Sequence, residues 1–160
     1  MTFDNSRTII SLRIKMFFAT VLMIAWLIVA YIAKIINFPL LGLSEKVCTL
    51  ILVGIYLVIL LLPMVRNIQF FFFSDEGQNF VFRYFMAGIV GGKKNSISIA
   101  KNTFAGYKIE KKYLGLSGSL ILFQKVGQNV AKYPPIYITA LSREQKEKLF
   151  SVLNQYAPKA

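Results

Sequence analysis

The chain has 160 residues, of which 56% are hydrophobic, and nineteen Lys and Arg against seven Asp and Glu give a formal net charge of +12. This combination is typical of a membrane protein that carries a cationic polar part. The sequence has no His and one Cys, which excludes Ser-His-Asp and Cys-His catalysis, most zinc sites and an intrachain disulfide.

Two long apolar segments in the first 65 residues predict a transmembrane hairpin. Residues 16–33 contain one clearly polar side chain, Thr20, and residues 47–65 contain no charge. Each approaches the roughly 20 residues that cross a hydrocarbon core, and insertion is favoured by about 3–5 and about 4–8 kcal/mol respectively. The predicted divisions are a basic N-terminal segment at 1–15, the hairpin at 16–65 with spans at 16–36 and 47–65, and a polar domain at 66–160.

Both spans have an alternative interpretation. The first segment follows Arg7, Arg13 and Lys15, as the apolar part of a signal peptide follows basic residues. It is too long for a signal peptide, however, and no convincing cleavage site follows it. For the second segment the alternative is a buried core helix, which a run of nineteen residues without a charge opposes.

The basic residues predict the orientation of the hairpin. Basic side chains precede the first span, and a strongly basic region follows the second from Arg66 onward. Because basic flanks stay in the cytoplasm, both termini are predicted there and the connection between the spans is predicted outside. The predicted location is the bacterial inner (cytoplasmic) membrane, which the chain crosses more than once.

Residues 66–160 show the pattern of short β-strands followed by one helix. Apolar and polar residues alternate in short runs that are separated by turns such as Asp75–Gln78, where Gly77 can take a positive φ. Ser142 followed by Gln145 fits a capping box at the start of the C-terminal helix. The predicted strands are 68–73, 79–86, 96–100, 105–111, 119–124 and 136–139.

This layout resembles the bacterial membrane-anchored pleckstrin-homology (PH)-like proteins, in which a hydrophobic hairpin precedes a small PH-like domain. The resemblance is carried by the strands and turns from Gln69 to Thr139, with the segment ISIAKNTFAGYKIEKKYLGLSGSLILFQK at their centre, and by the helix Ser142–Tyr156. It implies a membrane α-hairpin plus an α+β cytoplasmic domain. The domain would be a PH-like partly open β-barrel or sandwich of about six or seven strands, capped by the C-terminal helix. The resemblance implies a membrane location but no reaction.

Clustered basic side chains are the strongest functional signal in the sequence. Residues 66–160 hold fourteen Lys and Arg against five Asp and Glu, a net charge of +9. Close to an anionic leaflet each Lys contributes on the order of 1 kcal/mol of attraction. The alternative is a solvated surface that merely obeys the positive-inside rule. The predicted lipid-binding residues are Arg83, Lys93, Lys94, Lys101, Lys108, Lys111 and Lys112.

The run IQFFFF, residues 68–73, places apolar side chains on both faces of a strand. One face can fill the core, whereas an exposed second face would promote aggregation. Phe70, Phe71, Phe72 and Phe73 are therefore predicted to contact the membrane or a partner on at least one face. The alternative is that the second helix continues through Phe73.

The domain has few carboxylates, and their positions do not suggest an acid–base pair, so the sequence predicts no enzyme and no cofactor or metal. Gly91–Lys94 lacks the spacing of a Walker motif. The predicted function is non-catalytic scaffolding or sensing at the inner leaflet, through anionic lipid head groups. The alternative is an accessory subunit whose domain binds a protein partner, or a homo-oligomer. Nucleic acid is not an expected partner, because the domain is tethered to the membrane and carries no nucleic-acid motif.

Overall fold

The computed structural model describes residues 1–39, 42–87, 92–112 and 117–157. The chain divides into two compact units, one formed by Ile10–Val65 and the other by Met1–Ile9 together with Arg66–Ala160. The second unit therefore contains residues from both sides of the hydrophobic hairpin. The GIVG loop at 88–91 and most of the predicted LGLSG turn at 114–118 lie outside the described residues.

The first unit consists of two apolar helices, of which the first begins at Ser6, within the second unit. Helix α1 spans Ser6–Leu27 and continues as a π-helical segment over Ile28–Ile32, and helix α2 spans Glu45–Val65. Both are long and apolar enough to cross a membrane, and only 11% of each apolar window is buried in the structure. Such low burial opposes a core-helix interpretation of the second segment. Helix α1 begins at Ser6, well before the predicted span start at residue 16. Its first turns carry polar and basic residues, which do not belong to the apolar run that marks the span.

Polar contacts between the two helices show their antiparallel alignment. Thr20 Oγ1 lies 3.2 Å from the hydroxyl of Tyr56, whereas the indole N–H of Trp26 donates to Thr49 Oγ1 at 3.1 Å. The hydroxyl of Tyr31 donates to the same Thr49 oxygen at 3.0 Å. Interhelical hydrogen bonds in a membrane each contribute roughly 0.6–2 kcal/mol, so these contacts stabilise the pair.

The second unit contains eight strands among its described residues. They are β1 Thr2–Asp4, β2 Gln69–Ser74, β3 Asn79–Met86, β4 Asn95–Ala100, β5 Phe104–Lys112, β6 Ser117–Val126, β7 Asn129–Lys132 and β8 Ile136–Tyr137. A 3₁₀ turn at Lys101–Thr103 follows β4, and helix α3 spans Arg143–Tyr156. The predicted turn after β2 is confirmed, with Gly77 at φ +75°.

The strands form two antiparallel sheets. Sheet 1 has the order β1-β2-β3-β4, and sheet 2 has the order β5-β6-β7 with β8 also paired to β6. The predicted α+β class, with an antiparallel sheet domain and a C-terminal helix after two apolar helices, is confirmed. A closed barrel is not formed. The chain leaves sheet 1 at the 3₁₀ turn and starts a separate sheet, so the two sheets stay open.

The core lies where the inner faces of both sheets meet helix α3. Period-two alternation places Phe71 and Phe73 of β2 next to Phe80 and Phe82 of β3, all with no exposed surface. Sheet 2 and the helix complete the same cluster with Phe104, Leu120, Leu122, Ile136, Ile138, Leu149, Val152 and Leu153. The predicted capping box at the start of α3 is confirmed, since Ser142 and Gln145 exchange side-chain and backbone hydrogen bonds.

A buried glutamine links the two sheets. Gln69, at the start of β2, is 6% exposed, and its Oε1 accepts a hydrogen bond from the backbone N–H of Tyr137 in β8 at 3.0 Å. Its Nε2 donates to the sulfur of Met86 at 3.3 Å. A buried amide with both ends bonded fixes one relative position of the strands that it joins.

The N-terminal strand β1 was not predicted from the sequence. Phe3 is paired with Phe73 of β2, and its ring centroid lies 5.7 Å from that of Phe73 and 6.2 Å from that of Phe71. Asn5, two residues after Phe3, is 2% exposed. Its side chain donates to the carbonyl of Gln69 at 2.9 Å and accepts from the N–H of Phe71 at 2.8 Å. The first residues of the predicted basic segment therefore form the edge of sheet 1.

Replacing Asn5 by Ala is expected to lower the free energy of unfolding of the domain by about 2–4 kcal/mol, because a buried N–H and a buried carbonyl lose their partners. Pulse proteolysis of the full chain in detergent, across a urea series, measures this change. Asn102→Ala removes the same side chain from an exposed position and is the matched control. Equal midpoints for the two variants would contradict a structural role for Asn5.

Candidate functional site

The seven predicted lipid-binding residues are distributed over both sheets. Arg83 lies on β3, and Lys93 and Lys94 lead into β4. Lys101 lies in the 3₁₀ turn, and the other three, Lys108, Lys111 and Lys112, lie on β5. The side chain of Lys112 lies outside the described residues.

Three of these cations lie on sheet 1 or directly before one of its strands. Arg83 is exposed on β3 and is paired with Ser96 of β4, which follows Lys94 by two residues. Lys93 and Lys94 are exposed as well. The guanidinium carbon of Arg83 lies 5.4 Å from the ring centroid of Phe72, a cation–π distance. Arg83 therefore lies close to an aromatic surface, and Lys93 and Lys94 lead into the adjacent strand β4.

The aromatic surface is the outer face of β2 and β3. Phe70 and Phe85 are paired across the strands and stack with ring centroids 4.6 Å apart. Both rings, and that of Phe72, are half-buried, whereas Phe71 and Phe73 point into the core. Helix α2 ends at Val65, so the alternative in which it continues through Phe73 is wrong. A membrane or partner contact for Phe70 and Phe72 stays a prediction.

Lys101 has several partners inside the domain. Its ammonium group donates to the carbonyl of Asp75 at 2.6 Å. The same group lies 5.6 Å from the ring centroid of Phe80 and 5.3 Å from that of Tyr156. These contacts join the β2–β3 turn, the core and the end of α3, so Lys101 has a structural role that was not predicted from the sequence.

The β5 lysines have different surroundings. Lys108 forms an ion pair with Glu110 at 3.3 Å, with its side chain 64% exposed. Such exposed pairs contribute about 0–1 kcal/mol, so this pair is a minor stabilising contact. Lys111 is also exposed, but it points to the opposite side of the strand from Lys108 and borders a cavity.

The cavity beside Lys111 has a volume of about 430 Å³. It contains two more basic residues, Arg66 and Lys146, that were not predicted as site residues. Positions 66, 111 and 146 are far apart in the sequence, so no local spacing marks them as a group. The lining residues are Arg66, Ile109, Lys111, Gly118, Ile138, Thr139, Lys146 and Phe150.

Among the described residues of the domain, two side chains have shifted pKa values, and each shift has a structural cause. Burial raises the pKa of the Tyr84 phenol above its ordinary value. The hydrogen bond from Lys148 lowers the pKa of the Glu144 carboxyl. Neither residue lines the cavity. Among the described residues, no group of three or more His, Cys, Asp or Glu is placed to hold a metal ion.

Comparison of the chain with protein families, curated proteins and solved structures finds no match. The function is therefore inferred from the geometry and charge of the molecule.

Replacing Lys101 by Gln is expected to lower the free energy of unfolding of the domain by about 1–2 kcal/mol, because a cation–π contact and a charged hydrogen bond are lost. Urea-dependent pulse proteolysis with thermolysin measures the change without depending on lysine cleavage sites. Lys94→Gln makes the same charge change at an exposed position and is expected to leave the midpoint unchanged. A loss of similar size in both variants would show that general charge, rather than these contacts, is responsible.

Proposed function

We propose that this protein is a non-catalytic integral protein of the bacterial inner membrane. Its two apolar helices form a transmembrane hairpin with both termini in the cytoplasm. Its PH-like domain scaffolds or senses at the inner leaflet, with anionic lipid head groups as the ligand of its exposed basic residues.

The pairing of β1 with β2 carries this proposal. Strand β1 lies just before α1 in the sequence, and β2 follows α2 after three residues. Since both strands belong to one sheet, the two ends of the hydrophobic hairpin lie on the same side of any bilayer that the helices cross. This supports two crossings, and it holds the domain at one membrane surface. The net charge of +9 in residues 66–160 favours the cytoplasmic side.

The outer face of sheet 1 supports contact with the leaflet. It combines exposed cations at Arg83, Lys93 and Lys94 with the half-buried rings of Phe70 and Phe72. Basic side chains attract anionic head groups, and aromatic side chains are favoured at the membrane interface. The PH-like assignment is supported by the order of the elements, in which two antiparallel sheets precede a C-terminal helix that packs on their common core.

The same aromatic surface favours a second candidate function. Stacked rings such as Phe70 and Phe85 are typical of the buried centre of a protein interface. In that case the protein is an accessory subunit whose domain binds another protein of a membrane complex. Salt distinguishes the two functions, because attraction through exposed lysines is screened whereas an interface with a buried aromatic centre is not.

The topology predicts opposite accessibility for two introduced cysteines. In a Cys48→Ser chain expressed in spheroplasts, a membrane-impermeant maleimide is expected to label Ser44→Cys at once, because Ser44 lies in the connection between the helices. Asn102→Cys, in the domain, is expected to react only after the membrane is permeabilised. Labelling of both positions from outside would place the domain on the wrong side and contradict the proposed orientation.

Leaflet contact is tested with the full chain in nanodiscs. A fluorophore on Ser98→Cys, in the otherwise cysteine-free chain, is expected to be quenched by head-group quenchers more strongly in anionic than in neutral lipid. High salt is expected to abolish the difference. Lys93→Gln with Lys94→Gln removes two charges and is expected to weaken the anionic preference by about 2 kcal/mol.

The matched control for this experiment is Lys125→Gln with Lys132→Gln, which removes two exposed charges from the β6 and β7 strands instead. It is expected to keep the preference for anionic lipid. Quenching that is independent of lipid charge and salt would argue against lipid sensing and in favour of the accessory-subunit function.

A further inference from the structure

The cavity beside α3 gathers three basic side chains from distant parts of the domain. Arg66 directly follows α2, Lys111 lies near the end of β5, and Lys146 lies in the first turn of α3. All three line the same space of about 430 Å³. Because like charges repel, an anion between them would lower the electrostatic energy of this arrangement.

The described residues supply no such anion. All seven Asp and Glu lie in the described parts of the chain, but none lines the cavity, and none forms an ion pair with the three cations. Other cations of the same helix are paired, since Arg143 bonds to Glu147 and Lys148 to Glu144. On helix α3, Arg143 and Lys148 therefore have carboxylate partners on their own helix, whereas Lys146 lies beside the cavity without one among the described residues.

The cavity also has an excess of hydrogen-bond donors. The Nε of Arg66 is buried and has no hydrogen-bond partner among the described residues. Thr139 Oγ1 accepts a hydrogen bond from the backbone N–H of Gly118 at 3.2 Å, so its own proton points elsewhere. A set of charged and neutral donors without an acceptor fits a ligand with several acceptor oxygens.

The rest of the lining is apolar and leaves room. Gly118 faces the cavity without a side chain, and a Cβ placed there would come no closer than 3.7 Å to Ile138 Cγ1. Ile109 and Phe150 continue the apolar wall. An apolar wall next to converging cations suits an anionic group that carries an organic part, rather than a bare ion.

We propose that this cavity binds a phosphate group, held by Arg66, Lys111 and Lys146. The planar guanidinium can hold two phosphate oxygens, and the ammonium groups act as point charges. The phosphate comes from a lipid head group or from a soluble phosphate ester. The lipid source rests on the proposed function, because Arg66 is next to the end of a proposed membrane span. The binding chemistry itself is independent of the proposed function.

The test uses the full chain in neutral detergent with glycerol 3-phosphate or inorganic phosphate, and in nanodiscs with or without phosphatidic acid. Acylation of lysines, read by mass spectrometry, reports occupancy at each position. The bound ligand is expected to reduce the labelling of Lys111 and Lys146 several-fold and to leave Lys125 and Lys132 unchanged. Protection by the soluble ester identifies a soluble ligand, and protection by phosphatidic acid alone identifies a lipid.

Two variants test the site by different means. Arg66→Gln removes a charge and is expected to weaken binding at least tenfold, measured by calorimetry for the soluble ester and by lysine protection for the lipid. Gly118→Val keeps every charge and narrows the cavity, so it is expected to reduce the protection of Lys111 and Lys146. Lys148→Gln, on the same helix, is the charge-matched control and is expected to change affinity less than twofold.

The proposal is overturned if no probe protects Lys111 and Lys146, or if Lys148→Gln weakens binding as much as Arg66→Gln does. Near-ultraviolet circular dichroism of each variant shows whether the domain is folded. Failure here is distinguishable from failure of leaflet sensing, because that experiment depends on Lys93 and Lys94 and is read at a label on sheet 1.

Discussion

The arrangement of this protein depends on the short strand that precedes its hydrophobic hairpin. Thr2–Asp4 cover the edge of β2, and the buried amide of Asn5 fixes their position through two hydrogen bonds to that strand. Without this cover, β2 would present an unpaired aromatic edge, which is a template for aggregation. The helix cap uses the same strand, since Gln145 Nε2 donates to the carbonyl of Asp4 at 2.7 Å. The first residues therefore hold both sheet 1 and the start of α3.

The positive charge of the domain serves different purposes at different places. Lys101 is held between aromatic rings and a carbonyl and contributes to the fold. Lys108 has a carboxylate partner on its own strand. Arg83, Lys93 and Lys94 are exposed to solvent. Arg66, Lys111 and Lys146 line one cavity. The net charge of the domain does not distinguish these environments, because it counts the cations without the groups that surround each of them.

The sequence predicted the elements that have local signals. The apolar runs, the turn at Gly77, the capping box at Ser142 and the alternating β2–β3 hairpin are each recognisable within a few residues. Strand β1 was missed because three residues with one apolar side chain have no detectable period, and their partner lies far along the chain. Strand β7 was missed because its four residues are all exposed. The basic cavity exists only through tertiary packing, so only Lys111 of its three cations was selected.

Under the proposed membrane topology, sheet 1 also links synthesis of the chain to its insertion. Strand β1 is synthesised before the two apolar helices, and its partner β2 is synthesised after them. If only one helix crossed, β1 and β2 would lie on opposite sides of the bilayer, and β2 would keep its pairing with β3 but expose the edge that β1 covers. Such an open edge is a substrate for chaperones and proteases. Under that topology, completion of this sheet requires that the two helices cross the bilayer together, and a missing β1–β2 pair marks a chain in which only one helix has crossed.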